Sequence, residues 1–261
     1  MTIRTIGIIG VGHLAGYLAA GLMKSETPPR IILSPRGAEQ AARLQQRYNL
    51  EVANSNADVV RQSDLVLLAT RPLDLLAAIT GLPWRKGQTA VSVAAGIAHN
   101  ALQSAVSPAT AVRTLPVTAA EIGESPTCMY PENSATRQVF ESLGTIHAFD
   151  DEETYELASI QGVIFSVFHA GIQSIAEWMT ATGVDKKQAR EITARALRAT
   201  SGMVLAHPEN DFSHMVNEYA TEGSLTLVAL QELRKNGGLN AWPDAIETAL
   251  NRCQEINRDS Q

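Results

Sequence analysis

Small residues near the start of the chain have the spacing of a dinucleotide-binding turn, Gly10-Val11-Gly12-His13-Leu14-Ala15. This turn follows the apolar run Ile6–Ile9 and opens a helix expected over residues 14–24. Gly10 permits a tight turn, and Gly12 lets the backbone approach a pyrophosphate that the helix receives on its N-terminal amides. Ala15 keeps the helix close to the sheet. The alternative is an ordinary strand–turn–helix corner whose glycines serve only the backbone.

The residues after the second expected strand distinguish between the two nicotinamide dinucleotides. An acidic residue there would accept hydrogen bonds from a ribose 2′-hydroxyl. The run Ile31–Leu33 is followed instead by Ser34 and Arg36, which offer a hydroxyl and a guanidinium. Arginine makes charge-assisted bidentate bonds to a 2′-phosphate, so NADP(H) is the expected cofactor. A solvated turn residue is the alternative interpretation of Arg36.

Strands and helices alternate over the first 150 residues and then give way to helices. Strand-like apolar runs lie at residues 6–9, 31–33, 65–69, 90–93, 111–115 and 145–149, with helical stretches such as 38–48 and 73–79 between them. The later helices are expected over 153–182, 185–206, 224–234 and 242–258. The pattern predicts an α/β fold, with a Rossmann-type doubly wound parallel sheet over residues 1–150. An all-α domain follows over residues 151–261.

The first of these later helices, over 153–182, is apolar around much of its circumference. Its large apolar residues include Ile160, Val163, Ile164, Val167, Phe168, Ile172 and Ile175. A helix of this kind needs cover on several sides, which the rest of the C-terminal half cannot supply alone. We therefore expect a homodimer formed through the C-terminal helices.

Composition indicates a cytoplasmic enzyme with a small-molecule substrate. The net charge of −6 argues against a nucleic-acid partner. No apolar stretch is expected to reach membrane-spanning length, and the start of the chain lacks the features of a signal peptide. Cys128 and Cys253 are expected to be reduced bystanders, and no spacing of His, Cys, Asp and Glu predicts a metal site.

Four segments carry a resemblance to a known family: residues 7–14 (GIIGVGHL), 64–72 (DLVLLATRP), 92–96 (SVAAG) and 113–120 (RTLPVTAA). They are similar to the GxIGxGNM, Asp-apolar-AVKP, SIAAG and RxMPNTPA segments of pyrroline-5-carboxylate reductases. The similarity extends along essentially the whole chain. That family reduces a cyclic imine to proline with NAD(P)H, so the resemblance implies imine reduction in proline biosynthesis.

The resemblance also implies which residues contact the cofactor. The adenosine and pyrophosphate side would be held by Gly10, Gly12, His13, Leu14, Ala15, Ser34 and Arg36. Asn56 falls where the family has a cofactor-contacting asparagine. The side toward the nicotinamide would be lined by Ala69, Thr70, Arg71, Pro72, Ala94, Ala95 and Gly96.

The substrate half departs from the family pattern. The segment Ser-Gly-Ser-Gly-Pro-Ala-Tyr, whose polar groups help to receive the substrate carboxylate in the family, corresponds to residues 161–167 (QGVIFSV), where only the glycine is kept. The asparagine of the Met-Pro-Asn segment is Val117. The substrate-binding candidates are therefore Val117, Gln161, Phe165, His169, Glu222 and Gly223. For His169, a satisfied buried or interfacial histidine is the alternative.

Thr226 is the expected catalytic residue. The late family segment Pro-Gly-Gly-Thr-Thr corresponds to residues 222–226 (EGSLT), and its second threonine, which faces the imine nitrogen, is kept as Thr226. A single hydroxyl suffices for imine reduction, because the cofactor supplies the hydride. Alternatively, Ser224 or Thr226 only caps the following helix. The altered segments also leave open a different imine or keto substrate, or a catalytically silent NADPH-binding module.

Overall fold

The computed structural model describes residues 3–259 of the chain. These residues divide into two compact units. One comprises the chain up to Gly162 together with the stretch from Leu250 onwards, and the other comprises Val163–Ala249. The predicted domain boundary at 150/151 lies twelve residues before the first of these divisions and stays a prediction.

The first unit contains an eight-stranded sheet with the strand order β3-β2-β1-β4-β5-β6-β7-β8. Its strands are β1 (Thr5–Ile9), β2 (Arg30–Leu33), β3 (Glu51–Val52), β4 (Leu65–Leu68), β5 (Thr89–Ser92), β6 (Thr110–Leu115), β7 (Ser125–Tyr130) and β8 (Gly144–Ala148). All neighbouring strands are parallel except β6 and β7, which are antiparallel. The predicted Rossmann-type doubly wound sheet is confirmed, and its strands are mainly parallel, with β6 and β7 forming an antiparallel pair.

Helices cover both faces of this sheet. They are α1 (His13–Leu22), α2 (Ala38–Tyr48), α3 (Asn56–Gln62), α4 (Pro72–Ile79), α5 (His99–Val106) and α6 (Ser134–Phe140). Alternate residues of one strand enter different cores: Leu65 and Leu67 pack in one buried cluster, while Val66 and Leu68 pack in the other. This period of two explains why the central strands are continuous apolar runs, since both faces are buried.

The expected helix 153–182 is two helices, α7 (Glu152–Ala158) and α8 (Gln161–Ala181), separated at residues 159–160. Apolar periodicity does not reveal such a break, because the apolar residues continue through it. Further along the chain come α9 (Lys186–Ala206), α10 (Phe212–Tyr219), α11 (Leu225–Lys235) and α12 (Ala241–Asp259). The second unit is therefore all helical, and α10 is an addition to the expected elements.

The stretch Glu152–Ala181 is long and apolar enough to cross a membrane by length and composition. The expectation that no stretch reaches that length was therefore wrong. No single apolar run within the stretch is that long, because the stretch is apolar only on average. One such stretch is weak evidence for a membrane protein, since long apolar helices also occur in soluble folds.

Candidate active site

The expected cofactor residues of the first unit collect at one edge of the sheet. Gly10 follows β1, Ser34 follows β2, Ala69 follows β4 and Ala94 lies two residues beyond β5. These four strands are parallel neighbours, so their carboxyl ends lie side by side. The chain order reverses at β1, which lies between β2 and β4. Ligands of open α/β sheets bind in the crevice at such a reversal.

Gly10 is required by the protein itself. Its φ of +91° lies in the left-handed region, and an added Cβ would lie 2.5 Å from the Thr70 nitrogen and 2.7 Å from the Ala69 carbonyl carbon. The Gly10 amide donates to Ser34 Oγ at 3.3 Å. This glycine therefore allows the loop after β1 to lie against the loop after β4.

Gly12 has no such structural requirement. Its φ is −99°, and a Cβ added there would meet no described atom within 4 Å. Gly12 is also the N-cap residue of α1, and no side chain caps the amides of that helix. The missing side chain thus leaves open space in front of uncapped amides, which is the arrangement that a pyrophosphate needs. The residues present fit a dinucleotide.

Ser34 and Arg36 lie beside this turn in different environments. Ser34 is fully buried, and its hydroxyl holds the Gly10 amide, so it braces the turn. Arg36 is exposed, and the described part of the chain offers its guanidinium no ion pair. A solvated Arg36 is compatible with either a turn residue or a partner for a 2′-phosphate.

The other expected cofactor residues include groups with contacts of their own. Asn56 begins α3 and donates from Nδ2 to the Ala78 carbonyl at 3.3 Å, which ties α3 to α4. Arg71 precedes α4, which starts at Pro72, and pairs with Asp74 at 3.0 Å. Thr70 Oγ1 is buried and has no hydrogen-bond partner among residues 3–259. Asn56 and Arg71 are therefore held by contacts within the protein, whereas the buried Thr70 hydroxyl has none among the described residues.

The structure brings two substrate candidates together at the carboxyl end of β6. Val117 is buried, and its amide donates to Ser125 Oγ at 2.9 Å. Gln161 donates from Nε2 to the carbonyl of Leu115, the last residue of β6, at 2.6 Å. Since β6 neighbours β5 in the sheet, both candidates lie at the edge that carries Ala94.

His169 and Phe165 lie together on α8 in the second unit. The His169 Nδ1 is 2.8 Å from the Phe165 carbonyl oxygen, and the two rings meet edge to face at 4.6 Å. The imidazole is exposed in the single chain. It lines a cavity of about 650 Å³ between α8 and α9, to which Glu177 and Arg190 contribute charged groups. A histidine buried within the chain is thereby excluded, whereas an interfacial histidine stays possible.

Thr226 lies in the first turn of α11, close in sequence to Glu222 and Gly223. The cap of this helix is Ser224, whose Oγ accepts from the Leu227 amide at 3.1 Å. Thr226 is exposed, and its hydroxyl has no intrachain hydrogen bond in the described residues. The capping alternative therefore applies to Ser224 alone, which leaves the Thr226 hydroxyl available to a ligand.

Sequence reasoning missed a buried ionic cluster centred on Arg113. Its guanidinium bonds to Glu152 and, at 3.2 Å, to Glu156, and it lies 4.7 Å from the centre of the Tyr155 ring. Burial raises the pKa of Tyr155 to about 12. The available signal was an arginine inside the strand run 111–115 and two glutamates four residues apart. The cluster attaches α7 to β6 just before Gln161.

The same cluster includes His99 at the start of α5. The His99 amide donates to Glu152 Oε1 at 2.7 Å, and its ring meets Tyr130 edge to face at 5.2 Å. Burial lowers the pKa of His99, while Glu152 raises it and Arg113 lowers it further. His99 is therefore neutral near neutral pH. No group of three or more potential metal ligands occurs within the described residues.

Comparison with known proteins gives a consistent result along the whole chain. Residues 5–96 match the family model described as NADP oxidoreductase coenzyme F420-dependent, and residues 152–256 match that for pyrroline-5-carboxylate reductase dimerisation. The pyrroline-5-carboxylate reductase of Glycine max is 26% identical over 97% of this chain and 96% of the relative. Pyrroline-5-carboxylate reductase 1 of Bacillus subtilis is 25% identical over 98% of this chain and 90% of the relative.

Solved structures show the same fold. The 1-pyrroline-5-carboxylate reductase of Streptococcus pyogenes superposes with a TM-score of 0.85 at 23% identity, over 97% of this chain and 99% of that protein. The Plasmodium falciparum pyrroline carboxylate reductase with NADP bound gives a TM-score of 0.85 at 18% identity, over 97% and 98% of the two chains.

Proposed function

We propose that the chain is a member of the pyrroline-5-carboxylate reductase family, and that it transfers a hydride from NADPH to the C=N carbon of a small cyclic imine. In the family this reaction converts pyrroline-5-carboxylate into proline. The observation that carries the proposal is Gly12, where a side chain would project into open space in front of the uncapped amides of α1. A residue without a side chain at the start of α1 is what a pyrophosphate needs in order to reach the amides of that helix.

The cofactor is NADP(H), which supplies the hydride when it is bound. The turn from Gly10 to Ala15 would hold the pyrophosphate, and Ser34 and Arg36 would lie at the adenosine end. Charge-assisted bonds from Arg36 to a 2′-phosphate would favour NADPH over NADH. The segments Ala69–Pro72 and Ala94–Gly96, with Asn56, would line the path toward the nicotinamide.

The protein must also hold the imine and manage its proton. We assign Thr226 as the catalytic hydroxyl, which would donate to the nitrogen lone pair that forms as the hydride adds, because Ser224 caps α11 and the Thr226 hydroxyl has no hydrogen bond within the described residues. Val117 and Gln161, at the carboxyl end of β6, would contact the substrate. Phe165, His169, Glu222 and Gly223 are further substrate-binding candidates, which the family resemblance implies.

We further propose a homodimer formed through the C-terminal helices of a cytoplasmic enzyme. The match of residues 152–256 to a dimerisation family supports it. So does α8, which buries none of its residues within the single chain. On α8, Phe168, Ile175 and Trp178 are 43%, 48% and 67% exposed, an apolar surface that a second copy would cover.

The proposal is tested by following NADPH oxidation with pyrroline-5-carboxylate as substrate, with NADH in a parallel reaction. Turnover that prefers NADPH is the expected result. A chain that binds NADPH, detected by its fluorescence, but reduces no imine or carbonyl in a broad panel would refute the reductase and leave a nucleotide-binding module. Turnover of keto compounds alone would instead refute the assignment to imines.

A further inference from the structure

The side-chain amide of Gln161 is fixed in one orientation. Its Nε2 donates to the Leu115 carbonyl oxygen at 2.6 Å. If the amide were turned around, Oε1 would face that carbonyl oxygen, and two acceptors would oppose each other. Gln161 Oε1 therefore points away from Leu115. It is buried, and it has no hydrogen-bond partner in the described part of the chain.

The groups around this oxygen offer little to an anion. Val117 presents an apolar side chain, and its amide is already bonded to Ser125 Oγ. Arg113, the charged residue of β6, is bonded to Glu152 and Glu156, so the formal charge of this cluster is negative. The Arg113 Nε is a buried donor without a partner in the described residues, but it belongs to this cluster, whereas the unpartnered side-chain atom next to the Leu115 carbonyl is an acceptor, Gln161 Oε1. A carboxylate is an acceptor only, so it gains nothing from Gln161 Oε1 and is repelled by it.

The position of this acceptor in the sheet relates it to the reacting atoms. Ser92, the last residue of β5, is paired with Arg113 of β6, and Ala94 follows β5 by two residues, while Leu115 ends β6. Ala94 belongs to the segment assigned to the nicotinamide side of the cofactor, and Leu115 holds the Gln161 amide. The unpartnered oxygen therefore lies at the end of β6, the strand next to the one that leads into the segment assigned to the nicotinamide.

We propose that Gln161 adapts this site to cyclic imines that carry no carboxylate, by accepting a hydrogen bond from the N–H of the protonated imine. The inference rests on the proposed reductase function and specifies its substrate class. The imine takes its proton from solvent, and the hydride then adds to the C=N carbon. The π electrons move to nitrogen, so a neutral secondary amine and NADP⁺ leave. A charged N–H donor makes a stronger bond to a buried oxygen than a neutral one.

The test compares two substrates that differ only in the carboxylate, 1-pyrroline and pyrroline-5-carboxylate. The wild-type chain should show a kcat/KM at least tenfold higher for 1-pyrroline. Gln161→Met, which keeps the side-chain length and removes the acceptor, should lower kcat/KM for 1-pyrroline by about 10-fold or more. The dissociation constant of NADPH should stay unchanged. Gln45→Met, at an exposed position of α2, is the matched control. It should leave kcat/KM for both imines and the dissociation constant of NADPH unchanged.

A second variant keeps the test decisive if Gln161→Met folds poorly. Gln161→Ser combined with Val117→Asn restores two of the family's polar residues, and it should move the preference toward pyrroline-5-carboxylate by at least tenfold. A wild-type preference for pyrroline-5-carboxylate, or an unchanged preference in both variants, would overturn the role of Gln161 while the reductase stands. Failure to reduce either imine with NADPH bound would overturn the proposed function and the inference together.

Discussion

Replacing Gly12 by alanine should separate cofactor binding from folding. The added Cβ meets no described atom within 4 Å, and the φ of −99° suits any residue. The free energy of unfolding should therefore stay unchanged or rise by about 0.4–1 kcal/mol, because alanine restricts the unfolded chain. The same Cβ would stand where a phosphate oxygen has to approach the backbone. Loss of one charge-assisted hydrogen bond, about 1.5–3 kcal/mol, corresponds to roughly 10- to 150-fold weaker NADPH binding.

The matched control is Gly10→Ala. Its Cβ would lie 2.5 Å from the Thr70 nitrogen at a φ of +91°, so this variant should unfold at a lower temperature. NADPH titration by fluorescence and thermal denaturation without cofactor measure the two effects separately. If Gly12→Ala bound NADPH as tightly as the wild type, the open space at Gly12 would not be the pyrophosphate site. If it unfolded as readily as Gly10→Ala, the distinction between the glycines would be wrong.

Three further predictions address individual side chains. Arg36→Gln should weaken NADPH binding about tenfold and leave NADH binding unchanged, measured by titration, if Arg36 meets the 2′-phosphate. Thr226→Val should lower kcat about 10- to 100-fold with unchanged NADPH affinity, whereas Ser224→Ala should lower the free energy of unfolding by about 1 kcal/mol. His99 has a lowered pKa in the fold, so below about pH 6.5 the unfolded chain binds protons that the folded chain does not, and stability falls. His99→Phe, which keeps a ring against Tyr130, should lose less Tm between about pH 7.5 and 5.5 than the wild type.

The sheet could be predicted where burial alone decides the structure. The run Leu65–Leu68 is buried on both faces, so its apolar residues mark it as a central strand. The segment Ser125–Tyr130 carries no comparable run and contains Pro126, and β7 pairs antiparallel with β6 through contacts that are distant in sequence. Strand β3 has only two residues, both exposed. Neither strand leaves a hydrophobic pattern that a single sequence can reveal.

The sequence predicts the cofactor-binding part of the candidate site in more detail than the part around Gln161 and Arg113. The cofactor edge follows from local rules, because glycines at a strand end specify a turn whatever lies elsewhere in the chain. The orientation of the Gln161 amide depends on a carbonyl 46 residues away, and the pairing of Arg113 with Glu152 spans 39 residues. Such long-range contacts are set by the packing of α7 against β6 and β7, so the sequence could nominate Gln161 but not the direction of its oxygen.

The buried Arg113 gives the start of α8 a fixed position in the first unit. A buried guanidinium is stable only when its partners are held in place, and here Glu152, Glu156 and the Tyr155 ring all come from α7. Two residues separate the end of α7 from the start of α8 at Gln161, and Gln161 is itself bonded to the end of β6. Arg113 and Leu115 thus anchor this segment at two points of one strand. Substitutions at Gln161 should therefore change which imine is accepted without moving the strand ends that hold the cofactor.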